Sequence, residues 1–347
     1  MITIAAHPIK QWLLDAAQFI RFPALAFTLI LPLLGAATAS TEFTLGQMVT
    51  LILVGLLFHT FAYVLNDVID LPIDRTHPMR QNEPLVRGAI LPQHALVIAI
   101  VQIPLAFLVT FWSGGSVMAY SALGGAFVLL AVYDIFSKRT AFPPLIDFAQ
   151  ALGWGSFVLF GVGVVSHHLT KLASVPFLFS IIYVMIINGL HSMKDIPNDL
   201  IYHAHTTPTF FGVRPTSSGA HVPWSFKLYL FVWQGLLCGA ILLPVIANWF
   251  DYSLEIWVFT LGITGAICLG TSLLLGAMLR LLHAPYKALS LGGIYYLSAL
   301  ILPLLVVFPN LGLEGRIVMV AAYAIPVGAF LPTLASWVTH GEQEGLS

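Results

Sequence analysis

Charged side chains are the scarcest feature of this sequence: Asp, Glu, Lys and Arg together make up 8% of its 347 residues, against about 25% in a soluble globular domain. A chain of this length with so little charge cannot present a polar surface to water on every side. Hydrophobic residues supply 59% and the mean hydropathy is +0.92. The solvent such a chain requires is a lipid bilayer.

Other absences narrow the class further. The only cysteines are Cys238 and Cys268, both within apolar runs, which leaves no disulfide framework or metal knuckle and reads as two small buried hydrophobes. A net charge of −1 provides no basic footprint for nucleic acid. The first apolar run is too long for a signal peptide, and no small-residue cleavage site follows a short h-region. No long linker divides the chain, so residues 1–347 read as a single domain.

Long apolar runs are abundant. A spanning helix needs about 20 mostly apolar residues. Such runs lie near 15–38, 46–66, 92–112, 117–134, 144–166, 174–192, 226–247, 255–281, 287–307 and 315–338. The expected fold is an all-α integral membrane protein, a bundle of nine to ten transmembrane helices around a central cavity opening to the cytoplasmic side. The alternating short segments of a transmembrane β-barrel are missing. With a cytoplasmic N-terminus, Lys10, Arg21, Arg75, Arg80, Arg87, Lys138, Arg139, Lys194, Arg214, Lys227, Arg280 and Lys287 fall on the cytoplasmic side, and only Lys171 and Arg316 fall opposite. Twelve against two follows the positive-inside rule and supports both orientation and span count.

Against this background two polar concentrations stand out, in segments 66–90 and 194–225. One begins "NDVIDLPIDR" past the second apolar run. The other begins "KDIPND" past the sixth. Four spans separate them, as in a weak internal repeat. Asp67, Asp70 and Asp74 have i, i+3, i+7 spacing and Asp195 and Asp199 i, i+4 spacing, each set on one helical face. Five converging carboxylates need cations, and Mg²⁺ is typically held by one or two carboxylates together with substrate phosphates. Asn66 adds a neutral amide ligand. Pro72 and Pro197 are expected to bend or end their helices at the rim of the cavity.

Two other readings of the clusters stand beside this one: solvated loops, or ion sites of a coupled transporter. A transporter predicts carboxylates near the midplane, whereas these cluster at one face. Arg75, Arg80, Lys138, Arg139 and Lys194 are candidate contacts to phosphate oxygens, although topology alone also accounts for Lys138 and Arg139. Asp147 reads either as an acceptor-activating base or as a partner of Arg139. His203 and His205 read as bases, ligands or merely solvated residues. Trp154, Phe157 and Tyr183 read as packing residues or as stabilisers of a carbocation through their π faces. The polar connector 212–225 has the composition of a lid.

"NDVIDLPIDR" resembles the NDxxDxxxD motif of the UbiA superfamily of intramembrane prenyltransferases, and "KDIPND" resembles its second, DxxxD-type motif. "RFPALAFTLILPLLGAATA" is similar to the family's first helix and "YDIFSKR" to its Tyr/Lys/Arg loop. The motif resemblance covers about residues 15–215. It implies a helical bundle with a lateral opening to lipid, an isoprenoid diphosphate substrate and two Mg²⁺ ions. One ion would be held by Asn66, Asp67, Asp70 and Asp74, the other by Asp195 and Asp199. Tyr133 matches a family tyrosine near the substrate and reads equally as an interfacial belt residue. Ionisation would release pyrophosphate and leave an allylic cation for a small aromatic acceptor to capture.

The sequence departs from the family in "QNEPLVRG" after the first motif and "LIYHAHTTP" after the second. Those changes favour a specialised member. A terpene cyclase of the same superfamily, in which the chain's own alkenes trap the cation, is the alternative. No motif encodes prenyl length, acceptor or oligomeric state.

Overall fold

The computed structural model describes residues 7–77, 80–216, 219–280 and 285–344. The side chains of Lys10 and Lys287, and the turn 217–218 within the connector, lie outside that description. Among the described residues, ten helices are long and apolar enough to cross a membrane. The only sheet among them is a two-stranded hairpin, β1 (Arg214–Thr216) with β2 (Gly219–His221).

The chain opens with α1 (His7–Phe19), separate from the first spanning helix α2 (Leu25–Ala39). The expected run from residue 15 is broken because Arg21 adopts a left-handed backbone, φ 49°, and a 3-10 turn (Phe22–Ala24) follows. A residue with positive φ cannot continue a right-handed helix.

The second span, α3 (Leu45–Asp74), starts at a capping box. There Thr44 Oγ1 accepts from the Gln47 amide at 3.2 Å and Gln47 Oε1 accepts from the Thr44 amide at 2.9 Å. The helix then runs past residue 66 and through Pro72. The first acidic motif is therefore the last two turns of a helix and not a loop beyond it. Pro72 is exposed and lies two residues from the end, where the helix continues through it although the Val68 carbonyl loses its intrahelical donor.

α4 (Pro92–Trp112), α5 (Val117–Phe136) and α6 (Pro143–Val165) follow, α4 and α6 with proline in the first turn, where no N–H is needed. The sixth span is α7 (Ser174–His191), continued by a 3-10 turn (Ser192–Asp195) into the short α8 (Ile196–Ile201). Pro197 sits in the first turn of α8 and so starts a helix, contrary to the expectation that it ends one. Asp195 closes the 3-10 turn while Asp199 belongs to α8. One unbroken helical face is therefore not what relates them. Beyond α9 (Thr207–Phe210) and the hairpin come α10 (Trp224–Ile246), α11 (Leu254–Met278), α12 (Pro285–Val307) and α13 (Leu313–Glu344).

Close packing is concentrated where α6 meets α2 and α5. A Cβ on Gly161 would collide with the Pro32 carbonyl, one on Gly35 with the Val158 carbonyl, and one on Gly163 with Ala119. Small residues let helix backbones approach in lipid, where no hydrophobic force drives helices together. Ser116 Oγ reinforces the α5–α6 contact by donating to the Gly163 carbonyl at 2.7 Å. Phe58 stacks on Phe157 with ring centroids 4.1 Å apart, and Trp154 meets Phe58 edge-on at 5.3 Å. Phe157 is fully buried in this cluster and does not line the cavity, which settles its role as packing.

Among α10, α11 and α12 one buried polar network satisfies itself. Tyr295 Oη donates to Gln234 Oε1 at 2.5 Å, and Gln234 Nε2 donates to Thr271 Oγ1 at 3.0 Å and Ser272 Oγ at 3.1 Å. Cys238 and Cys268 are both free thiols, half-buried and buried respectively.

Candidate active site

The bundle encloses a cavity of about 1290 Å³. Polar residues from both acidic segments line one part of it, including Asn66, Asp67, Arg80, Lys194 and Asp195. Apolar and aromatic side chains line much of the rest, among them Phe27, Trp154, Tyr183, Leu300 and Phe330. Phe27 bridges Trp154 and Tyr183 with centroid separations of 4.9 and 5.2 Å.

Each aspartate of α3 meets a basic side chain. Arg21, just ahead of the first 3-10 turn, hydrogen-bonds Asp67 and lies 5.6 Å from the centre of the Tyr63 ring. Lys138 Nζ is 2.9 Å from Asp70 Oδ2, and Arg80 Nη1 is 3.0 Å from Asp74 Oδ2. In the second segment, His77 Nε2 stands 3.1 Å from Asp195 Oδ1.

Two basic groups outside the spans, Lys138 and Arg21, are held charged. Burial opposes ionisation of Lys138, but Asp70, Asp199 and Asp74 overcome it and raise its pKa. Burial likewise opposes the Arg21 charge, which Asp67 and Glu83 more than restore. Because the Lys138 pKa is raised, its ion pair with Asp70 persists as pH rises through the ordinary lysine range.

Asn198 ties the two acidic segments together. Its Nδ2 donates to the Ile73 carbonyl at 3.3 Å, and its Oδ1 accepts from Thr76 Oγ1 at 3.2 Å. The end of α3 and the start of α8 are thereby held side by side, with Asp74 on one and Asp199 on the other. Asp199 is 1% exposed, and neither of its carboxylate oxygens has a hydrogen-bond partner.

That orphaned carboxylate bears on metal binding. Among the described residues no three His, Cys, Asp or Glu side chains form a ready-made metal cage. The expected convergence of five bare carboxylates is replaced by three carboxylates each paired with a Lys or Arg and a fourth, Asp195, facing His77, with Asp199 left over. Mg²⁺ does not require an all-protein cage, since it keeps waters and shares carboxylates with substrate phosphates. An unpaired buried carboxylate is costly and invites a cation. The donor set, all hard oxygen, fits a hard divalent ion.

Not every sequence candidate reaches the cavity. Arg75 caps α3 and is exposed, and Arg139 is exposed with Nη1 donating to the Ile135 carbonyl at 3.2 Å. Neither lines the cavity. Asp147 is not paired with Arg139: Asn188 Nδ2 donates to its Oδ1 at 3.2 Å, and Thr207 Oγ1 donates to its Oδ2. With both oxygens occupied and no place on the cavity wall, Asp147 fastens α6 to α7 and α9. His203 and His205 are exposed, and the His205 amide donates to the Lys138 carbonyl at 3.1 Å. Tyr133 lines the cavity.

Sequence reasoning passed over Arg21 and His77, which it treated as topology markers or not at all, and over Asn198. It also passed over Asp134, a cavity-lining carboxylate that accepts from Asn66 Nδ2 at 3.2 Å. The available signal was an ionisable residue inside an apolar run, which by default marks function.

The same arrangement of helices recurs in solved structures. A UbiA homologue from Aeropyrum pernix K1, in its apo form, superposes with TM-score 0.62 at 17% identity over 82% of this chain and 96% of its own. A UbiA homologue from Archaeoglobus fulgidus bound to DMAPP and Mg²⁺ superposes with TM-score 0.60 at 15% identity over 82% and 98%. By sequence the chain is 24% identical over 198 residues to the 4-hydroxybenzoate octaprenyltransferase of Pseudomonas syringae pv. syringae, covering 57% of this chain and 62% of that one. It is 26% identical over 165 residues to the enzyme of the same name from Saccharophagus degradans, covering 48% and 54%. The matched stretches thus span little more than half the length of these relatives. The model of the UbiA prenyltransferase family matches residues 24–277. Because that match takes in both acidic segments, the helices that carry them and well over half of the sequence, the chain belongs to the UbiA prenyltransferase family.

Proposed function

We propose that this protein is a Mg²⁺-dependent prenyltransferase that ionises an isoprenoid diphosphate and passes the prenyl group to a small aromatic acceptor. The observation that carries the reading is the division of one large cavity into an ionic part and an apolar part. Asp67, Arg80, Lys194 and Asp195 line the first, and Phe27, Trp154 and Leu300 the second. A diphosphate with a hydrocarbon tail has the same division. The sequence bias of twelve basic residues against two supports a cytoplasmic N-terminus and cytoplasmic acidic segments.

Asn66, Asp67, Asp70 and Asp74 would hold one Mg²⁺ and Asp195 and Asp199 a second. When bound, these ions neutralise the diphosphate and stabilise the charge it gains on leaving. The protein's own groups do the rest. Arg80 and Lys194, on the cavity wall, bind the phosphate oxygens, while Lys138, which pairs with Asp70 off that wall, and Arg75 and Arg139 would join them by side-chain rearrangement. The apolar wall holds the chain and excludes water from the allylic cation, and the ring faces of Phe27, Trp154 and Tyr183 lower its energy. That aromatic wall also supports the second reading, a cyclase in which no acceptor enters.

Purified protein incubated with Mg²⁺ and geranyl, farnesyl or geranylgeranyl diphosphate distinguishes the two. Turnover only after an aromatic acceptor is added supports transfer, and cyclic hydrocarbon or terpene alcohol without acceptor supports cyclisation. Full activity in EDTA would remove the metal from the mechanism. A Lys138→Met variant is expected to raise the KM for the prenyl diphosphate about tenfold, the loss of one charge-assisted contact. An unchanged KM would take Lys138 out of the diphosphate site.

A further inference from the structure

Neither metal binding nor diphosphate binding explains Asp134. It lies in α5, outside both acidic segments, is 4% exposed, and lines the cavity. Its Oδ1 accepts the Asn66 amide, whereas its Oδ2 is buried without any hydrogen-bond partner. Asp147, a buried aspartate of α6 that also lies outside both acidic segments, has a donor on each oxygen. An aspartate kept for structure is satisfied in that way. Leaving one buried carboxyl oxygen bare is costly, and a site built to hydrogen-bond a substrate group carries this signature when empty.

The position of Asn66 separates Asp134 from the metal. An asparagine ligates a hard cation through its carbonyl oxygen, and here its NH₂ is directed at Asp134. Asp134 therefore stands on the side of Asn66 away from any ion it holds. Leu130 and Ala62 lie four residues before Asp134 and Asn66, on the same helical faces. Both line the cavity, as does Trp154. The Asn66–Asp134 pair is thus a small polar patch above apolar wall, next to the first acidic motif.

We propose that Asp134 anchors the acceptor, its Oδ2 receiving a hydrogen bond from a hydroxyl group on the acceptor ring. The acceptor class is then a phenol, seated against Leu130, Ala62 and Trp154 with its hydroxyl on Asp134. This assignment rests on the prenyl-transfer reading of the same cavity. It makes Asp134 a determinant of acceptor choice and leaves diphosphate ionisation to the other aspartates.

The test is calorimetric binding of matched pairs, 4-hydroxybenzoate against 4-methoxybenzoate and 1-naphthol against 1-methoxynaphthalene. The full-length protein is used, with Mg²⁺ and the unreactive analogue geranyl thiolodiphosphate. The wild type is expected to favour the phenol of a pair by about tenfold, the worth of one buried hydrogen bond. Asp134→Leu is expected to lose that preference. Asp134→Asn, which keeps the side-chain shape and serves if the leucine variant does not fold, is expected to reduce it at least about threefold. Equal binding of phenol and ether by the wild type, a preference unchanged in the variants, or binding of neither member of either pair would each overturn the assignment. Pyrophosphate release from geranyl diphosphate is measured separately. Its absence ends the prenyl-transfer reading, whereas release without hydroxyl preference ends only the role of Asp134.

Discussion

Asp199→Ala is expected to lower Mg²⁺-dependent pyrophosphate release from geranyl diphosphate by about 100- to 1,000-fold, the scale of losing one preorganised charge-stabilising group, while leaving the fold as stable as before or more so. The two parts of this expectation come from one observation. Asp199 is 1% exposed and neither of its oxygens has a hydrogen-bond partner, so in the resting protein it is a buried carboxylate that the Lys138 charge compensates only from a distance. Removing such a group relieves a cost rather than breaking a bond. In the presence of substrate the same carboxylate is the one most available to a cation. Activity and stability should therefore move in opposite directions.

Asp67→Ala and Asp195→Ala are expected to abolish pyrophosphate release as well, but by a different energetic route. Asp67 is bonded to Arg21, and Asp195 faces His77. Truncating Asp67 leaves the Arg21 charge without its ion-pair partner and truncating Asp195 removes a partner of His77, so thermal stability should fall together with activity. Kinetic assay and thermal unfolding of all three variants in detergent check the contrast. Full activity in Asp195→Ala and Asp199→Ala would remove the second acidic segment from the mechanism, and full activity in Asp67→Ala would remove the first.

The largest effect on folding is expected at Gly161. Gly161→Leu should destabilise the bundle by about 1–3 kcal/mol or more, seen as a lower unfolding temperature and a loss of monodisperse protein. The reason is backbone against backbone. A Cβ at 161 meets the Pro32 carbonyl, and the reciprocal Gly35 faces the Val158 carbonyl. No side-chain rotamer can yield there, so α2 and α6 must separate. α6 also carries Trp154, and α2 carries Phe27, the pair on the apolar cavity wall. Separation should thus disturb the site as well as the fold. Gly265→Leu is the matching control, because a Cβ there meets open space, and its unfolding temperature should not change. Equal behaviour of the two variants would show that the α2–α6 approach is not what holds the bundle together.

The solvent, the number of spans and the two acidic segments follow from the sequence itself. Runs of some 20 apolar residues and a charge content of 8% admit few other arrangements, and aspartates at i, i+3 and i+7 share a face of any helix. Pro72 and Pro197 show where local rules mislead. Proline forbids little in the first turn of a helix, as at Pro197, and one lost backbone bond does not stop α3 at Pro72, which the sequence does not say. Arg21 was visible only as a positive charge, because its left-handed backbone and its bond to Asp67 arise from a contact 46 residues away.

The partners of the carboxylates are likewise decided by tertiary packing. Asp147 goes to Thr207 and Asn188, Asp70 to Lys138 and Asp74 to Arg80, while Asp199 and one oxygen of Asp134 are left bare. Apolar patterning is a property of consecutive residues and can be read along the chain. Which charge meets which depends on helices brought together from distant stretches, and only the assembled bundle fixes that. The sequence by itself determined a helical membrane bundle with two acidic segments, and the tertiary structure decided which carboxylates are already neutralised and which remain open to a ligand.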